Sequence, residues 1–562
     1  MQAQKKYIKF EQINLPNRQW PTKVIDKAPV WCSVDLRDGN QALVTPMGID
    51  EKVRFFHTLV DCGFKEIEVG FPSASETEYA ILRTLIEENH VPDDVWIQVL
   101  VQAREELIRK TFEAVRGAKN VIVHFYNSTS TLQRKIVFQK DMEGITKIAV
   151  DGARLIKELT EKEVARSGMN IRYEYSPESF TGTEIDYSIE ICEAVMKEMG
   201  ATKENPIILN LPSTVEMCTA NTYADQIEYF CTHMKNREAA IISLHPHNDR
   251  GTGVACAELG LMAGAERIEG TLFGNGERTG NLDIVTVALN MFTQNVDPKL
   301  EFSNIMEIRQ VYEDVTKMTV PPRQPYAGEL AFTAFSGSHQ DAIRKGYEYM
   351  KTSGTEYWEV PYLPINPADL NRQYEPVIRI NSQSGKGGAV YVLEAACGYR
   401  LPKSMHPDFG NVIKAAADAY GDELTSDQIV EIFHKEYIDY VGKYNLKRHR
   451  FFELNEADGT IQSRFEGAIL VDGDERYIAG NGNGPIDSFF QALDGIGVHG
   501  YSFINYHEHA VSEGSDSKGI CYIELANAEG KHVFGVGIHN NINVAALLGI
   551  INAINRAERV EE

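Results

Sequence analysis

The sequence predicts an α/β protein: a (β/α)8 TIM barrel, then a mixed α/β connecting region, then a pseudo-symmetric α+β domain. From about residue 28 to 320, short β-branched and aromatic runs alternate with longer amphipathic stretches, a rhythm typical of parallel sheets. Polar residues cluster at the carboxyl ends of these runs, where a barrel carries its active site. The C-terminal segment contains an internal repeat.

Eight runs are the predicted barrel strands: VWCSVDLRD, EIEVGFPS, WIQVLVQA, NVIVHFYN, IRYEYSPE, PIILNLPSTV, AIISLHPHND and RIEGTLFGNG. Amphipathic stretches such as DEKVRFFHTLVDCG and DYSIEICEAVMKEMG lie between them and predict the helices. Eight units in about 290 residues match the size of a closed barrel. A doubly wound open sheet is the competing fold, but eight consecutive units with a polar ring from nearly all strands favour closure.

The rhythm breaks after residue 320 at TVPPRQPYAGE, and a mixed region follows to about residue 444. It carries one helix signal, SGSHQDAIRKGYEYMKTSG, in which Ser338 is the predicted N-cap and Asp341 follows three residues later. The Pro-rich VPYLPINPADLNRQYEP predicts extended or looped chain.

Two segments of the C-terminal region, AILVDGDERYIAGNGNGPIDSFFQAL and IELANAEGKHVFGVGIHNNINVAALL, repeat at a spacing of 55 residues. The repeat aligns Gly480 and Gly482 with Gly535 and Gly537. Each copy is predicted to hold two strands, a Gly-x-Gly turn and a helix. The expected domains are therefore an N-terminal arm (1–27), the barrel (28–324), connecting subdomains (325–444) and the repeat domain (445–562).

Composition limits the partners and the compartment. The 562 residues are 43% hydrophobic and 24% charged, as in soluble globular proteins. No apolar run approaches the roughly 18 residues of a membrane span, and the N-terminus lacks signal- or transit-peptide features, so we expect a cytoplasmic protein without a membrane partner. A net charge of −24 without a visible basic face argues against nucleic acid. Eight scattered cysteines without a CxxC motif predict reduced thiols.

A metal site is predicted from three side chains on two strands. His245 and His247 close the seventh strand, where residues i and i+2 point to one face, and Asp38 closes the first. Two nitrogens and one oxygen leave positions open for substrate or water, as a catalytic ion requires. Asn281 in GNGERTGN could add an oxygen. The alternative is that the histidines are barrel-mouth residues bonded to neighbouring carboxylates.

Arg37 is a candidate electrophile beside Asp38. On an ideal strand it would alternate to the opposite side, but the strand ends here and Gly39 permits a turn. A guanidinium at the mouth could stabilise charge that develops on an oxygen. The alternative is a structural salt bridge with Glu68 or Glu178. Glu174 and Glu178 share a face of strand five, and either could orient Arg37 or act as a base.

Neutral polar side chains at the strand ends offer the hydrogen bonds that a small polar substrate needs: His124, Tyr126, Ser176 and Thr214. Individually, each is more often structural than functional. The Gly-rich turns lack the GxGxxG register with a later acidic residue, which disfavours a nucleotide-dependent oxidoreductase.

The motifs DLRDGNQ, EYSPESFTGTE, HPHNDRGTG and GNGERTGN, in this order, closely resemble those of the 2-isopropylmalate synthases, specifically the longer type of that family. The resemblance continues through AFSGSHQDAIRKG, PYLPINPADLNRQYE and VIRINSQSGKGG into the repeat domain. It implies condensation of acetyl-CoA with 3-methyl-2-oxobutanoate and thioester hydrolysis to 2-isopropylmalate, the first committed step of leucine synthesis. It also implies a homodimer, a divalent metal ion (Mg, Mn or Zn), a monovalent cation as a candidate activator, and feedback inhibition by leucine.

The resemblance assigns roles to individual residues. The implied metal ligands are Asp38, His245, His247 and Asn281. The implied catalytic residues are Arg37, Glu178, His339 and Tyr374. The implied keto-acid pocket is Leu100, His124, Tyr126, Ser176, Pro212 and Thr214. Arg37 would polarise the keto oxygen, and His339 and Tyr374 are candidates for deprotonating acetyl-CoA at the barrel mouth of the partner subunit. Gly535 and Gly537 match the glycine turn of the leucine-sensing domain.

Three rival functions share parts of this pattern. Homocitrate and citramalate synthases would differ in the side chains around Leu100 and Thr214, because an apolar pocket suits an isopropyl group whereas an added Arg or His suits a carboxylate. A carbon–carbon lyase would run the reverse reaction, but a sensing repeat argues for a regulated biosynthetic step. A non-catalytic amino-acid sensor is disfavoured because the residues of the predicted site are intact.

Overall fold

The computed structural model describes residues 10–334, 336–374, 386–420, 424–455, 461–511 and 517–559, which form two compact units. The first unit is Met1–Phe332 with Ile365–Gln373, and the second is Thr333–Pro364 with Tyr374–Glu562. The connecting region expected at 325–444 is thus divided between the two units.

The first unit is a closed barrel of eight parallel strands in sequential order, with the last strand paired to the first. This confirms the predicted TIM barrel. The strands are β1 (Val30–Ser33), β2 (Glu66–Gly70), β3 (Trp96–Gln102), β4 (Asn120–Ser128), β5 (Asn170–Glu178), β6 (Ile207–Ser213), β7 (Ala240–Pro246) and β8 (Arg267–Gly270). Both β2 and β6 are buried along their whole length, as expected for strands covered on two faces.

The segments between the strands form helices because their apolar residues recur at helical spacing. The helix Ile49–Asp61, for example, buries Phe55, Phe56 and Leu59. The helices of this unit are α1 (Ile49–Asp61), α2 (Glu76–Glu87), α3 (Glu105–Ala114), α4 (Thr131–Gln133), α5 (Met142–Ser167), α6 (Ile185–Met199), α7 (Ala220–His233), α8 (Gly253–Met262), α9 (Ile284–Phe292) and α10 (Ile305–Thr316).

The end of the first strand differs from the prediction. β1 stops at Ser33, and a π-helical turn follows at Asp35–Gly39. The carbonyl of Val34 accepts hydrogen bonds from the backbone N–H groups of this turn, including that of Asp38 at 2.8 Å. Asp38 therefore lies on a turn rather than closing a strand. Because the chain no longer alternates there, Arg37 and Asp38 both reach the barrel mouth.

The second unit begins with helices that the sequence analysis largely missed: α11 (Gly337–Ser353), α12 (Lys386–Cys397), α13 (His406–Tyr420) and α14 (Ser426–Phe433). Only the first was predicted, and its N-cap position is Ser336 rather than Ser338, because Ser336 is the last residue with extended backbone (ψ 128°). The buried Phe409, Ile413 and Ala417 of α13 have the four-residue spacing that could have identified it.

The repeat domain contains two three-stranded antiparallel sheets, each followed by a helix. The first copy is β9 (Tyr444–Asn455), β10 (Ile461–Val471), β11 (Asp474–Gly482) and α15 (Pro485–Asp494); the second is β12 (Ser502–Ala510), β13 (Gly519–Ala526), β14 (His532–His539) and α16 (Ile542–Ala557). The two strands and the helix predicted for each aligned segment are present, and a third strand, β9 or β12, precedes each segment. Gly480 and Gly482 lie on β11, not in a turn.

The second sheet has apolar side chains on both faces. Ile520 and Tyr522 belong to a core with α12, α13 and α14, whereas Cys521 and Ile523 belong to a core with α15 and α16. Successive residues of a strand point to opposite faces, so this one strand joins the connecting helices to the repeat domain. Within the described ranges, no helix is both long and apolar enough to cross a membrane.

Candidate active site and metal centre

A cavity of about 390 Å³ opens at the carboxyl ends of the barrel strands. It gathers most of the predicted barrel site: Arg37, Asp38, Leu100, His124, Tyr126, Ser176, Glu178, Pro212, Thr214, His245 and His247. It also includes side chains to which the sequence analysis gave no role: Gln41, Phe71, Gln102, Asn210, Glu277 and Arg278. Position at or just after a strand end could have identified most of them, but Asn210 lies in the middle of β6.

The predicted metal triad is assembled. Candidate ligand atoms of Asp38, His245 and His247 all lie within 4.8 Å of one another, and the three residues are buried. Asp38 Oδ2 is 3.3 Å from His245 Nε2 and 3.8 Å from His247 Nε2. Burial opposes ionisation of Asp38, but Arg37 and the two histidines outweigh it and hold the pKa of Asp38 far below its usual range. The carboxylate is therefore available as an anionic ligand.

The two imidazoles differ in their surroundings. His245 Nδ1 lies 2.8 Å from Glu269 Oε2, which leaves Nε2 toward Asp38. Burial favours the neutral ring, but the hydrogen bonds to Asp38 and Glu269 outweigh it and raise the pKa of His245 to about 9. Burial and the charge of His245 lower the pKa of His247 to about 4. Without an ion, His245 holds a proton at neutral pH and His247 does not.

One buried polar atom next to the triad, Asn281 Oδ1, supports the metal interpretation. Among the described residues, neither His247 Nδ1 nor Asn281 Oδ1 has a hydrogen-bond partner. His247 and Asn281 are backbone partners in an isolated β-bridge, and Asn281 Nδ2 donates to the carbonyl of Asn275 at 3.1 Å, which fixes the amide. Unpaired buried polar atoms are costly, and a divalent ion held by the triad would satisfy the oxygen of Asn281. His247 faces Asp38 through Nε2, so its Nδ1 is not the ligand atom.

Arg37 is held between two carboxylates. Its Nε donates to Glu68 Oε1 and its NH1 to Asp38 Oδ1. The salt bridge that the sequence analysis weighed as an alternative is therefore present, with Glu68 and not with Glu178. It does not remove Arg37 from the site, since the side chain still lines the cavity. The ion pairs raise the pKa of Arg37 despite burial, so it remains a cation beside the proposed metal.

The keto-acid pocket expected from the resemblance has a polar wall on β4 and β5. His124 Nε2 lies 2.7 Å from Ser176 Oγ, and His124 Nδ1 lies 2.7 Å from Glu68 Oε2. Asn210 Nδ2 donates to Ser176 Oγ at 3.0 Å. These contacts fix a ring and a hydroxyl at the cavity surface, so the wall is preorganised for a small polar group.

Glu178 stands at the end of β5 and accepts a hydrogen bond from Ser128 Oγ. Burial raises its pKa, and the charge of Arg37 opposes the shift, which moves this carboxyl toward the range of a general acid or base. Tyr126 OH accepts from Gln102 Nε2 at 3.0 Å. Glu174, four residues earlier on the same strand, is fully buried and does not line the cavity.

The cavity rim carries one further cation. Arg278 donates to Asp249 Oδ1 at 2.7 Å and to the carbonyl of Thr214 at 2.6 Å. Thr214 Oγ1 in turn accepts from the backbone N–H of Ser179 at 3.0 Å. Arg278 and Arg37, the arginines among the lining residues, are thus both paired with carboxylates.

The two remaining predicted catalytic residues lie in the second unit. His339 is exposed in the first turn of α11, and its ring stacks on Tyr362 with centroids 4.1 Å apart. Tyr374 contacts Tyr347 at 6.3 Å between ring centroids. Their suggested part in the reaction stays a prediction.

The repeat domain holds a separate cavity of about 620 Å³ at the first turns of α15 and α16. Its lining residues are Asn483, Gly484, Pro485, Ile486, Asp487, Phe490, Tyr501, Phe503, Tyr506, Glu508, Ile542, Asn543 and Ala546. Gly535 and Gly537 are not among them. A Cβ on Gly537 would lie 2.0 Å from the carbonyl oxygen of Ala545, so the glycine lets β14 approach α16 closely.

Comparison with known proteins places these units in known families. Residues 28–312 match the HMGL-like family, residues 329–394 the "Alpha-isopropylmalate synthase, post-catalytic domain-like" family, and residues 423–558 the "LeuA allosteric (dimerisation) domain".

Curated relatives match almost end to end. The chain is 55% identical over 556 residues to the 2-isopropylmalate synthase of Clostridium acetobutylicum, which covers 98% of this chain and 99% of that one. It is 54% identical over 558 residues to the 2-isopropylmalate synthase of Mesorhizobium japonicum (99% and 98%), and 52% identical over 551 residues to that of Rhodospirillum rubrum (98% and 98%). With a barrel site of the expected composition and relatives this similar over the whole length, the chain belongs to the 2-isopropylmalate synthase family.

Proposed function

We propose that the protein condenses acetyl-CoA with 3-methyl-2-oxobutanoate and hydrolyses the thioester to 2-isopropylmalate and CoA. The observation that carries this proposal is the buried triad of Asp38, His245 and His247, which borders one cavity with Arg37 and an apolar wall at Leu100. The family to which the chain belongs supports the same reaction.

Asp38, His245 and His247, with Asn281 beside them, would hold a divalent ion, and we propose Mg, Mn or Zn, since mixed nitrogen and oxygen ligation suits several metals. When bound, the ion would supply a Lewis acid for the 2-oxo acid. The neutral ring of His247 requires no deprotonation at physiological pH. A monovalent cation remains a candidate activator.

Arg37 would stabilise the negative charge that develops on the keto oxygen when the carbon–carbon bond forms. Its two carboxylate contacts fix the guanidinium before substrate arrives, so little reorganisation is needed in the transition state. Glu178, whose carboxyl pKa is raised by burial, would serve in proton transfer or in activating water for thioester hydrolysis.

We propose His339 as the base that removes a proton from the acetyl methyl group, with Tyr374 as its alternative or partner. His339 is exposed, so its ring is accessible from outside its own unit. Histidine has an ordinary pKa near neutrality and suits this role. The residue would act at the barrel of the partner subunit in a homodimer, an arrangement that the dimerisation-domain match at 423–558 supports.

The substrate is proposed to be monocarboxylic because Leu100 and Pro212 give the cavity an apolar lining and Arg278 is engaged with Asp249. Leu100 and Pro212 would contact the isopropyl group, while Arg278 is bound to Asp249. A homocitrate-type reaction would need a cation free for a second carboxylate.

The test uses the purified chain with acetyl-CoA, a divalent ion and a panel of 2-oxo acids, with free thiol release and product mass as readouts. The proposal expects 3-methyl-2-oxobutanoate to have the highest kcat/KM and 2-isopropylmalate to be the product. Preference for a dicarboxylic oxo acid, or thiol release without carbon–carbon bond formation, would reject it.

Leucine is proposed as a feedback inhibitor that binds the cavity of the repeat domain. The first turns of α15 and α16 offer backbone N–H groups suited to a carboxylate. Asp487 and Glu508 could accept hydrogen bonds from an ammonium group, and Phe490 and Ile542 offer an apolar wall for the side chain. This location fits an amino acid better than the strand glycines Gly535 and Gly537, whose Cα atoms face helix backbone.

Glu508→Gln tests this location against Glu475→Gln, a matched change in the same domain at a half-exposed carboxylate paired with Arg448. The proposal expects Glu508→Gln to raise the leucine concentration for half inhibition at least tenfold, whereas Glu475→Gln leaves it unchanged. If leucine neither binds nor alters the rate of the wild type, the regulatory assignment fails.

A cytoplasmic location is also proposed. All eight cysteines are free thiols, which suits a reducing compartment.

A further inference from the structure

One buried glutamine, Gln98, contacts both the carboxylate that holds Arg37 and the carboxylate that holds His245. Gln98 lies on β3, two residues before Leu100, and is fully buried. Its Nε2 donates to Glu68 Oε2 at 2.7 Å and to Glu269 Oε1 at 3.0 Å. Its carbonyl oxygen accepts from Arg267 NH2 at 2.7 Å. Both amide protons and the carbonyl oxygen are therefore used, which fixes the orientation of the amide.

One of the two carboxylates that accept from Gln98, that of Glu269, contacts a predicted metal ligand. Glu269 is fully buried, and its Oε2 lies 2.8 Å from His245 Nδ1. Arg267 NH1 donates to Glu269 Oε1 at 2.8 Å, so this oxygen receives Gln98 and Arg267 together. A carboxylate at one nitrogen of a metal-binding imidazole fixes the ring orientation and the tautomer. Gln98 thus acts on His245 through Glu269.

The second carboxylate leads to the cation and the pocket wall. Glu68 Oε1 accepts from Arg37, and Glu68 Oε2 lies 2.7 Å from His124 Nδ1. The same Oε2 accepts from Gln98. The glutamate is fully buried, so this oxygen has no solvent to replace a lost donor.

We propose that Gln98 is a positioning residue of the reaction given under Proposed function, on which this inference rests. By donating to Glu68 and Glu269 from one amide, it holds Arg37 and His245 at a fixed separation across the barrel. Loss of the amide leaves two buried carboxylates without a shared donor. Repulsion between the two negative charges would then change the orientation of both carboxylates. Gln98 itself does not line the cavity.

Gln98→Met tests the proposal because methionine has a similar length and no amide. The matched control is Gln226→Met, which changes another buried glutamine of the same barrel, on α7, whose Oε1 faces Cys218. Metal dissociation constants are measured by competition with a chromophoric chelator, and cobalt(II) absorption spectra report ligand geometry independently of turnover. Thermal unfolding of both variants reports stability.

Gln98→Met is expected to weaken metal binding by about 10- to 100-fold, to shift the cobalt(II) spectrum and to lower kcat at least tenfold, with the KM for acetyl-CoA unchanged. Gln226→Met is expected to keep wild-type metal affinity and spectrum. Wild-type metal affinity, spectrum and kcat in Gln98→Met would overturn the proposal, as would equal losses in both variants.

If Gln98→Met does not fold, Gln98→Asn gives the same comparison with an amide that is one methylene too short to reach both carboxylates. Unchanged metal affinity and kcat in Gln98→Asn would overturn the inference. Failure of the wild type to form 2-isopropylmalate would reject the proposed function instead, and the metal affinities would still decide whether Gln98 positions the ligands.

Discussion

A proton on His245 competes with the proposed metal ion, and this competition predicts how metal affinity changes with pH. In the metal-free protein, hydrogen bonds to Asp38 and Glu269 outweigh burial and raise the pKa of His245 to about 9. The proton is therefore bound below pH 9 and lost as the pH rises through 9. A nitrogen ligand must be deprotonated to bind a metal, so affinity should increase with pH up to that point.

The size of the effect follows from the same pKa. At pH 7 only about one ring in a hundred is neutral, so the apparent metal affinity should be about 100-fold weaker than above pH 9, or about 2.7 kcal/mol. The dissociation constant should fall about tenfold per pH unit between 7 and 9. The pKa of His247, about 4, adds no dependence in this range.

Calorimetric titration of the metal-free protein with a divalent ion, in buffers of different ionisation enthalpy, measures both the dissociation constant and the number of protons released. Uptake of one ion at pH 7 should release about one proton, and Glu269→Gln should flatten the pH dependence because it removes one of the two carboxylates. A dissociation constant that is constant from pH 7 to 9, with no proton release, would refute this reasoning.

Three substitutions test other parts of the account. His339→Ala should lower kcat by about 10²- to 10⁴-fold with little change in the KM for the keto acid. The control is His233→Ala, which removes another histidine stacked on a tyrosine and should change neither kcat nor KM. An effect of His339→Ala on KM alone would exclude His339 as the base. Arg37→Lys should lower kcat by about 10²- to 10³-fold, because an ammonium cannot keep both carboxylate contacts, and a wild-type rate would exclude it as the electrophile. Gly537→Ala should lower the free energy of unfolding by about 1–3 kcal/mol in denaturant titrations. Gly484→Ala, whose added Cβ would meet open space, should not. Equal stabilities of the two variants would contradict the close approach of β14 to α16.

The barrel was predictable because its signal is local. Each strand is a short apolar run, and the polar residues at its carboxyl end mark the site, so the sequence located Asp38, His245 and His247 together. Gly39 indicated that a turn could follow the first strand, but the alternation of residues did not show that the turn is π-helical and begins at Asp35.

The supporting carboxylates were harder to find. Glu269 lies in the interior of β8 and bonds His245 across 24 positions of sequence, and Gln98 bonds Glu269 across 171. Because the partners are distant in the sequence, no local pattern distinguishes a glutamate or glutamine that positions a site residue from any other inward-facing residue of a barrel strand. The repeat also predicted a turn at the aligned glycines, but Gly480 and Gly537 lie on strands, where a Cβ would collide with the backbone of the packed helix.

Metal analysis of dialysed protein tests the central claim most directly. We expect one divalent ion per chain in the wild type, loss of turnover after exhaustive chelation, recovery in proportion to the ion returned, and little bound ion in Asp38→Asn. Full turnover after chelation, or an unchanged metal content in Asp38→Asn, would contradict a catalytic ion held by Asp38, His245 and His247.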